Sequence, residues 1–160
     1  MIVVATSVIA VLGTLLGATL SHVLQSRTAA RGQDFARAER LRQERIDAYC
    51  AFGGALANYR RGQLDRWFPE HVDRPGETAD VHELRREAYR LRAAAMEAMF
   101  RVELLTESPP LTALAQDAMA SVDRITTADD REELRVIRDE SRGLMHEFIA
   151  ASRPHVNTVA

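Results

Sequence analysis

Residues 81–105, VHELRREAYRLRAAAMEAMFRVELL, carry the most regular hydrophobic pattern in the chain. Apolar side chains recur there in alternating steps of three and four residues, at Val81, Leu84, Ala88, Leu91, Ala95, Ala98, Val102 and Leu105. This spacing places them on one face of an α-helix. Arginines and glutamates fill the other faces, where solvated ion pairs are the ordinary outcome. The segment therefore predicts an amphipathic helix that packs its apolar face against other helices.

The chain on the N-terminal side of this segment predicts a long helix over residues 34–67. The first half of that helix is largely charged, which is typical of a solvated stalk or the start of a coiled coil. The second half repeats apolar and aromatic residues at helical spacing, at Ile46, Tyr49, Phe52, Leu56 and Tyr59. Gly53 and Gly54 would allow another helix to approach closely. Prolines and a glycine in residues 68–76 predict a loop after Trp67, and Asp80 is a candidate N-cap for the next helix.

Two more helices are predicted on the C-terminal side. Ser108 and Pro109 form an N-cap followed by proline at the first helical position, and Asp130 marks another start. The last helix is expected to end near Ser152, because Pro154 follows. With no alternating strand pattern, four helices joined by short connections predict an antiparallel up-and-down bundle.

The N-terminal stretch Met1–Ser26 predicts a transmembrane helix. It has no charged residue, and about 20 apolar residues suffice to cross a hydrocarbon core of roughly 30 Å. It lacks a basic n-region and is too long for a cleaved signal, so we expect it to stay as an anchor. Six arginines follow between residues 27 and 45 and none precedes. The positive-inside rule then predicts an inner-membrane protein with its N-terminus outside and its C-terminal domain in the cytoplasm.

A pattern of small residues within this span predicts a helix–helix contact. Gly13 and Gly17 form a GxxxG pair, and Ser21 continues the four-residue rhythm. The alternative interpretation is that small residues are simply common in membrane helices. The predicted organisation is all-α, with a single membrane anchor (1–26), a charged helical stalk (27–45), a helical bundle (46–153) and a disordered tail (154–160).

Composition excludes few functions. The chain has 160 residues and a net charge of −2, which gives no bulk electrostatic argument for nucleic acid binding. All 21 basic residues are arginine, a bias that weakens arginine as a sign of phosphate binding. The single cysteine, Cys50, has no second cysteine to pair with and is expected to pack as a small apolar residue.

The sequence contains no recognisable catalytic or metal-binding motif. A helical bundle that binds metal ions uses paired Glu-x-x-His motifs, and the chain has no such pair. His82 and His146 each adjoin a glutamate, which puts the two side chains on different helix faces. No phosphate-binding glycine loop occurs. The sequence therefore predicts no enzyme activity, no catalytic residue, no metal and no cofactor, and it identifies no small-molecule substrate.

One cluster combines arginine with aromatic residues. Its candidate partner surface is Arg60, Arg61, Arg66 and Trp67, flanked by Tyr59 and Phe68. Arginine beside aromatic rings suits a nucleic acid strand or a lipid head group. The alternative is structural, since a large apolar side chain at a helix end commonly closes the end of a bundle.

The order of an uncharged span ending GTLLGATLSHVLQ and an arginine-rich helix, RAERLRQERIDAYCAFGGALANYRRGQLDRW, resembles the small KilB-type membrane proteins of actinobacterial conjugative plasmids. The resemblance covers residues 10–68 best. It implies a membrane role in plasmid transfer or spread, and it assigns no site residue. We therefore expect a non-enzymatic, single-pass membrane protein whose cytoplasmic bundle binds a protein partner or itself. The alternative is a membrane-anchored nucleic-acid-binding module.

Overall fold

The computed structural model describes the backbone of residues 2–71 and 81–157, and the side chains of residues 32–71 and 81–157. The helices are α1 (Ile2–His71), α2 (Val81–Leu105), α3 (Pro109–Asp123) and α4 (Arg131–Asn157), with a short 3₁₀ helix, Arg124–Thr127, between α3 and α4. The chain divides into two compact units, residues 1–41 and 42–160. In the first unit, residues 32–41 are all exposed.

The second unit is a bundle of four packed helices. Its core takes the aromatic face of α1 together with small and branched residues of α2, α3 and α4. The predicted faces are confirmed, because Tyr49, Phe52, Leu56 and Tyr59 are all buried. On α2 the buried residues are Ala88, Ala95, Ala98 and Val102, all from the predicted stripe. The fold is all-α, as predicted.

Neighbouring helices of the bundle run antiparallel. Arg42 near the start of the bundle contacts the carbonyl of Val156, whereas Arg60 contacts Ser141, so sequence numbers rise along α1 as they fall along α4. The same reversal relates α1 to α2 (Arg45–Leu105 and Glu70–Arg85) and α2 to α3 (Arg92–Asp123 and Glu103–Gln116).

Two helices pass through prolines that were expected to lie beyond their ends. α1 continues through Pro69 to His71, and α4 continues through Pro154 to Asn157. Both prolines are exposed and lie in the last turns, where proline removes one backbone hydrogen bond. The residues four positions earlier, Asp65 and Ala150, are also exposed, so water can replace the missing donor.

The caps of α3 and α4 differ in chemistry. Ser108 is the N-cap of α3, as predicted, but its hydroxyl makes no capping hydrogen bond; its carbonyl accepts from Leu111 and Thr112 instead. Pro110 at the second helical position has no N–H, and the Leu111 amide at the third is already used in its bond to the Ser108 carbonyl. Asp130 caps α4 through its side chain, since Oδ1 accepts from the backbone amides of Glu132 and Glu133, both at 2.9 Å.

Several predictions fall outside the described residues. Over 32–71 and 81–157, no helix is long and apolar enough to cross a membrane. The predicted anchor Met1–Ser26, with its candidate contact at Gly13, Gly17 and Ser21, lies outside that part of the chain, as does the predicted cap Asp80. These remain predictions.

Candidate functional site

Trp67, the aromatic centre of the predicted partner surface, is buried. Its side chain is 1% exposed, and its indole N–H donates to the Ala128 carbonyl at 2.8 Å. The ring of His71 stacks on it with the centroids 4.5 Å apart. Trp67 therefore fixes the connection between α3 and α4 onto the end of α1, which is the structural alternative that the sequence left open.

The three arginines of the predicted surface have different surroundings. Arg60 donates from Nε to Ser141 Oγ and from a terminal nitrogen to the Arg138 carbonyl, both at 3.0 Å, which fixes it to α4. Arg66 is 3.3 Å from Glu70, whereas Arg61 is exposed. The structure therefore does not bring Arg60, Arg61, Arg66 and Trp67 together as one exposed surface.

Glu70 links α1 to α2. Its Oε1 accepts hydrogen bonds from Arg66 and from Arg85 of α2. Burial opposes ionisation of this carboxyl, but the two arginines outweigh it and lower the pKa of Glu70. The hydrogen bond to Glu70 occupies Arg66, and the Trp67 ring is buried. Without a rearrangement, a nucleic acid strand could therefore neither pair with Arg66 nor stack on Trp67.

Tyr59 forms a polar junction between three helices. Its hydroxyl donates to Asp123 Oδ1 at 2.5 Å and accepts from Gln63 Nε2 at 2.9 Å, and Arg92 of α2 donates to the same Asp123 carboxylate. Burial, followed by the bond to Asp123, raises the pKa of Tyr59 above its ordinary value. The hydroxyl therefore serves a structural role inside the bundle. It is not available to a partner that binds the arginine and aromatic cluster suggested by the sequence.

α2 carries a second apolar face, which we call the α2 outer face: Tyr89, Ala93, Phe100 and Leu104. These residues lie at helical spacing on the side of the helix opposite the buried alanines, and the half-buried Met96, which packs against the core, borders them. Tyr89 is 67% exposed, Phe100 49% and Leu104 85%. The sequence analysis did not identify this face, although its residues follow the same helical period as the core stripe on the opposite side of α2.

The charges of α2 and the residues just after it are divided along the helix. Residues 81–92 hold four arginines and two glutamates, a net charge of +2. Residues 93–107 hold one arginine and three glutamates, a net charge of −2. The α2 outer face is therefore flanked by a basic N-terminal half and an acidic C-terminal half.

A groove of about 490 Å³ lies between α1 and α4. We call it the α1–α4 groove; its walls and floor include Gly53, Gly54 and Ala57 of α1 and Met145, Phe148 and Ile149 of α4. A Cβ atom on Gly53 would lie 3.2 Å from Ile149 Cδ1, so this glycine allows the close approach that the sequence predicted. A Cβ on Gly54 would meet nothing within 4 Å, so the groove stays open beside it.

Cys50 lines the same groove and is exposed, which corrects the expectation that it packs as a small apolar residue. The core positions of this turn are taken by Ala48, Tyr49 and Phe52. Successive helical residues are separated by about 100°, and this rotation turns Cys50 away from Tyr49 toward the groove. Tyr49 and Phe52 were correctly expected to be buried, and helical rotation alone distinguishes Cys50 from them.

Two comparisons with known proteins point to the same family. The family model for the KilB plasmid transfer protein matches residues 46–156, which include most of the bundle. Protein KilB of Streptomyces lividans is 32% identical over 148 residues, covering 92% of this chain and 95% of that protein. No solved structure matches. The family model overlaps residues 10–68, where the sequence resemblance was placed, only over 46–68, and the rest of its match lies on the C-terminal side. The chain therefore belongs to the KilB plasmid transfer protein family.

Proposed function

We propose that this protein is a non-enzymatic, single-pass membrane protein of plasmid transfer whose helical bundle associates with a second copy through the α2 outer face. Membership of the KilB family supports the process. The observation that carries the interaction is the exposure of Tyr89, Phe100 and Leu104 on one side of α2. Contiguous apolar surface of this kind marks contact sites on soluble domains.

The anchor is supported by the sequence of Met1–Ser26 and by the arginines that follow it. In this proposal the bundle lies in the cytoplasm. A reporter enzyme that is active only outside the cytoplasm is expected to be inactive when fused after Ala160, and active when fused ahead of Met1. The second fusion is the matched control, because it differs only in the side of the span. Activity of the C-terminal fusion would contradict the proposed orientation.

Charge complementarity favours a second copy as the occupant of the α2 outer face. In a two-fold pair the same surface serves on both chains, so residue i faces residue j and j faces i. An antiparallel crossing centred near Met96 and Glu97 places Tyr89 opposite Leu104. It also places Arg86 opposite Glu107, so that the basic half of each helix lies against the acidic half of the other. A parallel crossing would set like charges together.

Leu104→Glu tests this surface. We expect the purified full chain in detergent to sediment as a dimer and the variant to dissociate with a dissociation constant raised roughly 100-fold or more, since a two-fold interface loses this contact twice and buries two unpaired charges. Leu104 is 85% exposed, so the variant keeps its fold. Val136→Glu is the control, because Val136 is also exposed but lies on α4. A monomeric wild type, or unchanged association of Leu104→Glu, would contradict self-association through α2.

Association through the predicted span contact would mask the effect. The same measurements are therefore repeated in a Gly13→Ile, Gly17→Ile background, which obstructs close approach of two spans. A charge exchange supplies the second test: Arg86→Glu is expected to weaken the dimer, and adding Glu107→Arg to restore it. Failure of this rescue would reject the antiparallel arrangement, and binding of only a different protein would assign the face to that partner.

A further inference from the structure

The α1–α4 groove has an apolar body. Leu56 and Phe148, both buried, form its floor, and Met145 and Ile149 stand along the α4 side. On the α1 side the wall is low, because Gly53, Gly54 and Ala57 have little or no side chain. A volume of about 490 Å³ falls within the range of roughly 300–1,000 Å³ that is typical of small-molecule sites.

One end of the groove is cationic. Arg60 and Arg142 both line it, and α1 and α4 bring them together because the helices are antiparallel. Arg142 is paired with Asp139 on its own helix. Arg60 donates hydrogen bonds to two neutral acceptors, Ser141 Oγ and the Arg138 carbonyl. Among the described residues, no carboxylate is bonded to this half-buried guanidinium.

The electrostatic surroundings of Arg60 favour an added anion. Burial lowers the pKa of Arg60, the positive charges of Arg142 and Arg138 lower it further, and Asp139 partly opposes them. The charged groups that act on Arg60 are therefore two guanidinium groups and one carboxylate. A carboxylate or phosphate placed between Arg60 and Arg142 would relieve this repulsion and accept charge-assisted hydrogen bonds.

The opposite end of the groove is apolar. It lies beside Cys50 of α1 and Ile149 of α4. Cys50 is ten residues from Arg60 along α1, which corresponds to roughly 15 Å of helix. His146 is the remaining polar lining group, and it is exposed. The long axis therefore leads from an apolar end to a doubly cationic one.

We propose that the α1–α4 groove binds a single-chain amphiphile with an anionic head group, the head between Arg60 and Arg142 and the hydrocarbon chain along Gly54, Met145 and Ile149. This site lies on helices other than α2 and is independent of the proposed self-association. The apolar groove fits one hydrocarbon chain, and the two arginines fit one anionic head group. A fatty acid has both groups and is therefore the representative ligand. A neutral apolar molecule or an apolar peptide segment satisfies the groove but leaves the two arginines unused.

Cys50 reports occupancy, because it is the single cysteine, exposed, and part of the lining. The full chain is reconstituted in neutral phosphatidylcholine nanodiscs, and the rate of modification by a maleimide is followed by intact mass. Dodecanoate is expected to slow modification, dodecanol to do so at roughly tenfold higher concentration, and dodecyltrimethylammonium not at all, since only the first offers an anion to two arginines. Equal protection by dodecanol and dodecanoate would overturn the anionic assignment, and absence of protection would overturn the site.

Arg142→Gln isolates the head-group contact. Arg142 is exposed, so the variant keeps the bundle intact, and the concentration of dodecanoate needed for half-protection is expected to rise roughly tenfold. The matched control is Arg153→Gln, which removes an exposed arginine from α4 outside the groove and leaves protection unchanged. Equal behaviour of the two variants would mean that protection comes from partitioning into the bilayer, and would overturn the site.

Gly54→Leu fills the groove. A Cβ atom at this position meets nothing within 4 Å, so the new side chain starts in the open space of the groove. Dodecanoate is expected to raise the thermal midpoint of the wild type and to leave that of Gly54→Leu unchanged, a measurement that does not depend on Cys50. Gly143→Leu, also at an open position but outside the lining, is the control and should keep the ligand response. Retained stabilisation of Gly54→Leu would overturn the proposal.

Discussion

Replacing Trp67 by alanine is expected to lower the free energy of unfolding by about 3–5 kcal/mol, the usual range for a buried tryptophan or phenylalanine. The indole is buried on every side, stacks on His71 and donates its N–H to the Ala128 carbonyl. The substitution leaves a cavity at the end of α1 and an acceptor without its donor. The cavity and the unpaired acceptor each lower the free energy of unfolding.

Urea unfolding followed by far-ultraviolet circular dichroism measures this effect, since Trp67 is the single tryptophan and its fluorescence disappears with it. Phe68→Ala is the matched control, as Phe68 is the adjacent aromatic residue but is 39% exposed; its loss is expected to be much smaller. Equal losses for Trp67→Ala and Phe68→Ala would show that Trp67 does not hold the α3–α4 connection.

Phe148→Ala is expected to destabilise the protein by a similar amount, about 3–5 kcal/mol, at a different part of the bundle. The ring of Phe148 lies edge-on to Phe52, with the centroids 5.0 Å apart, and edge-on to Tyr49 at 6.1 Å. Such pairs add to the free energy of area burial. Removing the ring takes away contacts from two α1 side chains and the floor of the α1–α4 groove.

Ile149→Ala is the control for Phe148→Ala, because Ile149 follows it on α4 and is 39% exposed. Chemical unfolding is measured on both variants under the same conditions. If Phe148→Ala lost no more stability than Ile149→Ala, the aromatic cluster would not anchor α4 on α1. Phe148→Leu, which retains much of the volume, is expected to fall between alanine and the wild type.

Local periodicity predicted most of the fold. The spacing of Tyr49, Phe52, Leu56 and Tyr59 depends on a single helix, so it identified the buried face of α1 without knowledge of any partner. The same holds for the alanine-rich face of α2. Gly53 was correctly expected to allow a close approach of another helix, whereas Gly54 was not, since a Cβ atom there would meet nothing within 4 Å.

Tertiary pairing explains what the sequence did not predict. Arg60 bonds to Ser141, 81 residues away, and nothing within α1 distinguishes it from the exposed Arg61 beside it. Trp67 is buried because residues around Ala128 return to cover it. The sequence predicts helix ends at Pro69 and Pro154 because the rule for proline is local, whereas tolerance of each proline depends on its exposure in the folded bundle.

Tertiary packing also explains why the α2 outer face and the α1–α4 groove were not predicted from the sequence. The α2 outer face follows the helical period and was open to sequence reasoning, but recognising it as unburied required knowing which face the bundle uses. The α1–α4 groove depends on two helices at once. Arg142 joins Arg60 there only because α4 runs antiparallel to α1, and that relation is not written in either segment alone.

α2 has an unusual distribution of side-chain size. The residues it buries include Ala88, Ala95 and Ala98, whereas its large rings and Leu104 face outward. Small inner residues let α2 lie close to its neighbours, so enlarging any of them would force the helices apart. Natural selection on this helix is therefore expected to act on volume at the inner positions and on hydrophobicity at the outer ones. Across diverging relatives, an inner alanine would exchange with glycine or serine while Leu104 exchanged freely with other large apolar residues.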